Sequence, residues 1–224
     1  MNFGKEQYQF ATQHMGVSKA AMDNHIDNIT PYIIEERPMR VSQLDIYSRM
    51  MMDRIIFLNT GVTEEVANII ISQLLFLNNV DKDREIKMYI NSPGGSVYAG
   101  LAIYDTMHII NAEVATLCTG MAASMAAVLL AAGSIGKRSA TPLARVMIHQ
   151  PLGGASGQFK DMMINLKQME TLKVNLYTIL SDKTGKSLDK VESDCERDYW
   201  MNSAEAEDYG IIDSIIEYTK STKR

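Results

Sequence analysis

Two residues of this sequence stand where a nucleophile and its base could be placed. Ser124 lies in the run GMAASMAA (120–127), just past a glycine and at the expected start of a helix. His149 ends the apolar, strand-like segment RVMIH and precedes Gln150 and Pro151. A serine nucleophile needs a base within hydrogen-bond reach, and the base needs a carboxylate to orient it. Ser124 and His149 could therefore act together in hydrolysis. The alternative is that both residues have only a structural role in packing.

The spacing does not select the carboxylate. Six aspartates in the C-terminal third of the chain stay open on the residues alone: Asp161, Asp182, Asp189, Asp194, Asp198 and Asp208.

The segment NSPGGS (91–96) offers a further element of such a site. Gly94 and Gly95 follow an apolar strand-like run, and glycines permit backbone conformations that are barred to other residues. Successive N–H groups can then face an anion or a developing oxyanion. A tight turn is the simpler interpretation of the same residues.

Other kinds of site find little support in the sequence. The four histidines (His14, His25, His108 and His149) show no metal-binding spacing, and the two cysteines form no CxxC pair. No GxGxxG or GxxxxGK[ST] motif is present, so nothing predicts a nucleotide site. We therefore expect neither a metal nor a cofactor in this chain.

Composition places the chain among ordinary globular proteins. It has 224 residues, of which 46% are hydrophobic and 22% charged, and the length allows one large or two small domains. A net charge of −5 gives no basic footprint for nucleic acid. Few cysteines and the lack of a secretory signal pattern predict a cytoplasmic protein.

Residues 114–136 carry no charge and are long enough to cross a bilayer. The stretch changes from strand-like VATLC, through a TG break, to helix-like AASMAAVLLAAG. We therefore predict a buried strand, turn and helix rather than a membrane span. A membrane-bound serine peptidase stays an alternative on this stretch alone.

The elements expected to position these residues alternate between short strands and helices. Strands are predicted at 54–58, 86–90, 114–118 and 144–148, and helices at 63–77, 97–110, after 120 and at 158–181. This alternation predicts an α/β fold.

The predicted helix at 158–181 carries one continuous apolar stripe, formed by Phe159, Met162, Leu166, Met169, Leu172, Leu176 and Ile179. The simplest way to bury this apolar stripe is packing against the matching helix of a second subunit. The alternative is packing within its own subunit.

Five stretches occur in the order and spacing of one known family: DIYSRMMMDRIIFL (45–58), YINSPGGSV (89–97), CTGMAASMAA (118–127), ARVMIHQPLGGASGQ (144–158) and ERDYWMNSAEAEDYGIID (196–213). The chain thereby resembles the proteolytic subunits of the Clp protease family over about residues 31–215. The resemblance implies a crotonase-like α/β spiral of short strands with flanking helices.

The resemblance also implies a serine endopeptidase. Ser124 would be the nucleophile, His149 the base and Asp198 the orienting carboxylate, with the N–H groups of Gly95 and Met125 as the oxyanion hole. The strand edge that pairs with the substrate backbone would consist of Gln150, Pro151, Leu152 and Gly153.

The family assembles two stacked heptameric rings, with the helix at 158–181 as the "handle" between them. Gln158, Asp161 and Arg197 match positions that join the rings. A hexameric AAA+ unfoldase, which uses ATP, would feed unfolded polypeptides into the barrel, and Tyr89 falls in its docking pocket.

The resemblance divides the chain into three parts. Residues 1–30 would be a leader that is removed, 31–48 an axial N-terminal loop segment, and 49–224 a single protease domain. Two further functions stay open: a catalytically inactive ring subunit and a crotonase-like acyl-CoA enzyme.

Overall fold

The computed structural model describes residues 32–37, 40–154 and 157–218, in two units that divide after Met52. The leader predicted at 1–30 lies outside the described residues. In the first unit, β1 (Tyr32–Arg37) and β2 (Arg40–Asp45) pair antiparallel, and α1 (Ile46–Met52) follows. The segment expected to be a loop at 31–48 therefore contains a hairpin. The boundaries of the leader, the axial segment and the protease domain stay predictions.

The second unit is built on a seven-stranded sheet: β3 (Ile55–Leu58), β4 (Ile86–Ser92), β5 (Val114–Ala123), β6 (Arg138–Ala140), β7 (Arg145–Ile148), β8 (Tyr199–Asn202) and β9 (Ser214–Ile215). The order is β3-β4-β5-β6-β9, and β7 pairs with both β5 and β8. All these pairings are parallel except that of β7 with β8.

Helices connect these strands: α2 (Glu64–Val80), α3 (Val97–Ile109), α4 (Met125–Ala131), α5 (Phe159–Thr184), α6 (Leu188–Cys195) and α7 (Ser203–Tyr209). The predicted α/β fold is confirmed. The sequence analysis missed α1, β6, β8, β9, α6 and α7, each of which has at most eight residues, too few for a period to be recognised with certainty.

The uncharged stretch at 114–136 forms the centre of the fold, as predicted. It supplies β5 and α4, and every residue of α4 is buried. Within the described residues, no helix is both long and apolar enough to span a membrane.

The break expected at Gly120 is a kink within one strand, because β5 continues to Ala123. Its first half pairs with β4 and β6, and Met121–Ala123 then pairs with β7. Gly120 has φ 145°, and the Asn91 side chain accepts the Met121 N–H at 3.2 Å. The kink thus redirects the strand to a new partner without ending it.

The fully buried residues of the long helix α5 lie near its C-terminal end. Leu176, Tyr177 and Leu180 are buried, whereas Phe159 is 73% exposed and Leu166 49% exposed. The apolar stripe is therefore covered in part by this chain, and its N-terminal half faces solvent in the single chain.

Arg138 fastens the C-terminal end of α5 to the sheet. Its guanidinium donates to the Lys183 carbonyl at 2.8 Å and forms a two-point ion pair with Asp213 at 2.6 and 3.0 Å. Burial by itself would raise the pKa of Asp213, but the hydrogen bonds from Arg138 outweigh it and the pKa is lowered.

We expect Asp213→Asn to lower the free energy of unfolding by about 3 kcal/mol at pH 7, because it leaves Arg138 buried without its counter-charge. The folded pKa of Asp213 lies below its unfolded value, so its stabilisation is present above the unfolded pKa and is lost as the pH falls through the folded pKa. Urea denaturation followed by circular dichroism should show the difference between variant and parent shrinking below about pH 4. Asp208→Asn, at an exposed position, is the control. If the difference in unfolding free energy between variant and parent were the same at pH 7 and below about pH 4, the role of the Asp213 charge would be contradicted.

Candidate active site

Ser124 occupies a strained turn between β5 and α4. It has φ 55° and ψ −124°, a conformation that side chains other than glycine rarely adopt. Its N–H donates to the Met147 carbonyl at 2.8 Å, which ties the turn to β7. The sequence places alanines at 122 and 126, where the GxSxG motif has glycines, but the sharp strand-to-helix turn of that motif is present.

His149 lies between a hydroxyl and a carboxylate. Its Nε2 is 2.8 Å from Ser124 Oγ and its Nδ1 is 3.0 Å from Asp198 Oδ1. With the proton on Nδ1, the ring donates to Asp198, and Nε2 is free to accept the hydroxyl proton of Ser124. The imidazole is 11% exposed and the Asp198 carboxylate 63% exposed.

Strand pairing brings Asp198, among the six aspartates that stayed open, to His149. The last residue of β7, Ile148, faces the first residue of β8, Tyr199. His149 and Asp198 directly flank this pair, so the chain places them side by side. Sequence spacing could not show this, because 49 positions separate the two residues.

Backbone N–H groups of two elements surround the nucleophile. Met125 begins α4, and the first N–H groups of a helix have no acceptor within the helix. Val62 pairs with the glycine loop through the Gly94 carbonyl and the Ser96 N–H, which leaves the Gly95 N–H outside this pairing. Both N–H groups that the resemblance names thus belong to elements beside Ser124.

Gly94 is a site residue whose steric role the sequence analysis missed. It has φ 88°, and a Cβ there would lie 2.7 Å from Ser124 Cβ and 2.9 Å from the Met125 nitrogen. Only glycine lets the loop approach the nucleophile so closely. The Gly94–Gly95 pair was the sequence signal for an unusual backbone here. It does not indicate that this backbone lies against Ser124.

A cavity of about 270 Å³ opens beside Ser124 and His149. Apolar side chains of three helices line it: Val97, Met125, Val128, Leu176 and Leu180. Pro151 and Leu152 line it as well. Such a cavity favours an apolar group next to the reacting atoms.

The residues of the predicted substrate edge (150–153) do not all face the cavity. Pro151 and Leu152 line the cavity, whereas the Gln150 side chain lines a separate polar cleft and donates to the Glu196 carbonyl at 3.0 Å. Gly153 lies against α5, because a Cβ at this position would be 2.6 Å from Met169 Cε.

The residues predicted to join rings are not joined to one another within one chain. Gln158 and Asp161 lie at the start of α5, and Arg197 lines the polar cleft next to Asp198. Tyr89, predicted to dock an unfoldase, lies in a separate surface pocket of about 200 Å³ that Lys87, Leu117 and Ile216 also line.

The two cysteines do not compete as nucleophiles. Burial raises the pKa of Cys118 to about 11 and the pKa of Cys195 to about 12, so both thiols stay protonated at neutral pH. Among the described residues, no group of three or more His, Cys, Asp or Glu side chains is arranged to hold a metal ion.

Comparison with known proteins gives one consistent result. Residues 38–219 match the family model "Clp protease". Three relatives named "ATP-dependent Clp protease proteolytic subunit" each align with 93% of this chain and 96% of their own length. They are 55% identical in Bacteroides fragilis, 55% in Bacteroides thetaiotaomicron and 53% in Porphyromonas gingivalis. The chain therefore belongs to the Clp protease family and is a serine peptidase.

Proposed function

We propose that this chain is the proteolytic subunit of an ATP-dependent Clp protease, and that it hydrolyses peptide bonds by covalent catalysis at Ser124. The observation that carries the mechanism is the pair of hydrogen bonds of His149, at 2.8 Å to Ser124 Oγ and 3.0 Å to Asp198 Oδ1. This chain of contacts is the arrangement that serine nucleophiles require. The same geometry argues against an acyl-CoA enzyme, which has no need of it.

In the first half of the reaction, Ser124 Oγ attacks the peptide carbonyl while His149 Nε2 takes its proton. The oxygen of the tetrahedral intermediate accepts hydrogen bonds from the N–H groups of Gly95 and Met125. Asp198 stabilises the imidazolium that forms. His149 then protonates the amine of the leaving peptide, and the acyl group remains on Ser124.

In the second half, His149 accepts a proton from water, which attacks the acyl carbonyl. The same N–H groups hold the second oxyanion, and collapse of this intermediate returns the proton to Ser124 and releases the new carboxylate. Each step uses side chains that already lie within hydrogen-bond distance.

The substrate is an extended polypeptide that lies along the segment 150–153. Pairing of this edge with the peptide backbone would supply affinity that does not depend on sequence. Unfolded chains and short peptides meet this requirement, whereas a folded protein keeps its backbone hydrogen bonds to itself.

The exposed half of α5 supports assembly into an oligomer, because an uncovered apolar stripe needs a partner. In our proposal, α5 joins two heptameric rings into a barrel, with Gln158, Asp161 and Arg197 at the contact between rings. The active sites would then face an enclosed chamber.

The proposed partner is a hexameric AAA+ unfoldase, which hydrolyses the ATP that the relatives' names mention. This sequence carries no phosphate-binding motif of its own. The pocket around Tyr89 would receive an apolar loop of that partner, in the cytoplasm.

We expect a fluorophosphonate probe to modify Ser124 alone, and Ser124→Ala to lose both modification and peptidase activity. Asp198→Asn should keep the fold and lower kcat by about 10⁴-fold, as loss of the orienting carboxylate does in other triads. Intact mass and peptide mapping identify the adduct, and fluorogenic peptides report turnover. Ser72→Ala, at an exposed position of α2 away from the site, is the matched control for loss of a hydroxyl. Turnover in a pure Ser124→Ala sample would contradict the mechanism.

We expect the cavity beside Ser124 to favour peptides with an apolar residue just before the scissile bond. Of two peptides that differ only in Leu or Asn there, the Leu peptide should have a kcat/KM about 10-fold higher or more, because the apolar wall leaves the amide without partners. Equal kcat/KM values would show that this side chain does not enter the cavity.

Replacing both Phe159 and Leu166 with Ser should separate the rings. Both side chains are exposed in the single chain, so the fold should survive and the particle mass should fall toward half. Sedimentation velocity measures the mass, and circular dichroism reports the fold. Lys167→Ser, an exposed change on the same helix, should leave the mass unchanged. An unchanged mass in the double variant would rule out α5 as the contact between rings.

A further inference from the structure

The Gln150 side chain faces away from the catalytic cavity, although its two neighbours line it. His149 and Pro151 line the cavity beside Ser124. Gln150 lines a neighbouring polar cleft, together with Glu196 and others, and its Nε2 donates to the Glu196 carbonyl there. The side chain is therefore poorly placed to contact a substrate.

Gln150 joins the segment that carries His149 to the segment that carries Asp198. Its N–H donates to the Cys195 carbonyl at 2.6 Å, and its Nε2 donates to the Glu196 carbonyl at 3.0 Å. The first bond belongs to the backbone and survives any substitution except proline. The second depends on the glutamine side chain, and it holds a peptide unit two residues before Asp198.

The far end of this link is fixed in the core of the protein. Cys195 is fully buried at the end of α6. Asp194, next to it, accepts a hydrogen bond from the buried Tyr209 hydroxyl at 2.8 Å. Beyond Asp198, the Tyr199 ring contacts Tyr209, with 5.9 Å between ring centroids. The short segment 196–198 thus spans two anchored points, and the Gln150 side chain bonds its first residue.

The Asp198 carboxylate depends on this backbone support. It is 63% exposed, and the hydrogen bond that the structure describes for it is the one to His149 Nδ1. An exposed carboxylate with one hydrogen bond can rotate or shift toward water at little cost. Its distance to the imidazole is then set by the position of the 196–198 backbone.

We propose that Gln150 is a positioning residue for catalysis, whose side-chain amide holds the Glu196 carbonyl and thereby keeps Asp198 in hydrogen-bond contact with His149. The inference rests on the proposed function, since it assigns Gln150 an effect on the activation of Ser124. It gives the Gln150 side chain a role in the geometry of the active site, while the backbone edge at 150–153 remains the proposed contact with substrate.

The test compares two substitutions of similar length in the full-length protein. Gln150→Met removes the side-chain donor, and Gln150→Lys retains one. We expect Gln150→Met to lower kcat and the rate of fluorophosphonate labelling about 5–10-fold, the effect of one hydrogen bond of about 1 kcal/mol, and to change KM less than about twofold. Gln150→Lys should recover most of both rates. Gln168→Met is the matched control, because it removes an exposed glutamine hydrogen bond, to Tyr98, on α5.

A double-mutant cycle tests whether Gln150 acts through Asp198. In the Asp198→Asn background, Gln150→Met should cause no further loss of labelling rate, because the contact it supports is already impaired. A full additional loss would overturn the proposal.

Two other results would also overturn it. The first is an unchanged labelling rate in Gln150→Met with a raised KM, which would make Gln150 a substrate contact. The second is a fall in particle mass large enough to account for the lost rate. Failure of the proposed function is separate, since the parent protein itself would then not be labelled at Ser124.

Discussion

The active site depends on one constraint, the pairing of β7 (145–148) with two neighbours in opposite directions. β7 runs parallel to β5, so its end meets the end of that strand, where Ser124 lies. It runs antiparallel to β8, so its end also meets the start of that strand, which Asp198 precedes. His149 follows β7 directly and therefore reaches both. The two hydrogen bonds of the His149 imidazole thus depend on the register of β5, β7 and β8.

The rest of the site is shaped by close packing around the nucleophile. Ser124 adopts a strained conformation that the surrounding structure must maintain. The helix that follows it is entirely buried, and its seven residues carry no charge. Gly94 lies so close to Ser124 that any side chain would collide with it. In the proposed mechanism, the N–H groups of the glycine loop and of the helix start stabilise the negative charge that develops during acyl transfer at Ser124.

At the exposed side of the site, around Asp198, hydrogen bonds rather than close packing fix the positions of the residues. The Asp198 carboxylate lies at the surface of the single chain, whereas the imidazole that it contacts is 11% exposed. Its position follows from the backbone at 196–198, which is held between the buried end of α6 and β8. The uncovered half of α5 lies at the surface as well.

Local patterns along the chain were enough to predict the main elements of the fold and the residue types of the site. The periods of apolar residues predicted the main helices and strands, and the position of Ser124 at the start of a helix follows from the glycine and the Ala/Met run after it. Spacing and periodicity could not select Asp198 among six aspartates, and only the family resemblance did, since strand pairing between residues 49 positions apart has no local signal. Local patterns also could not show that β5 continues past Gly120. The residues after Gly120 pair with β7, which lies more than 20 positions further along the chain. Tertiary structure decided these points, as parallel pairing and the approach of Gly94 to Ser124 are contacts between segments distant along the chain.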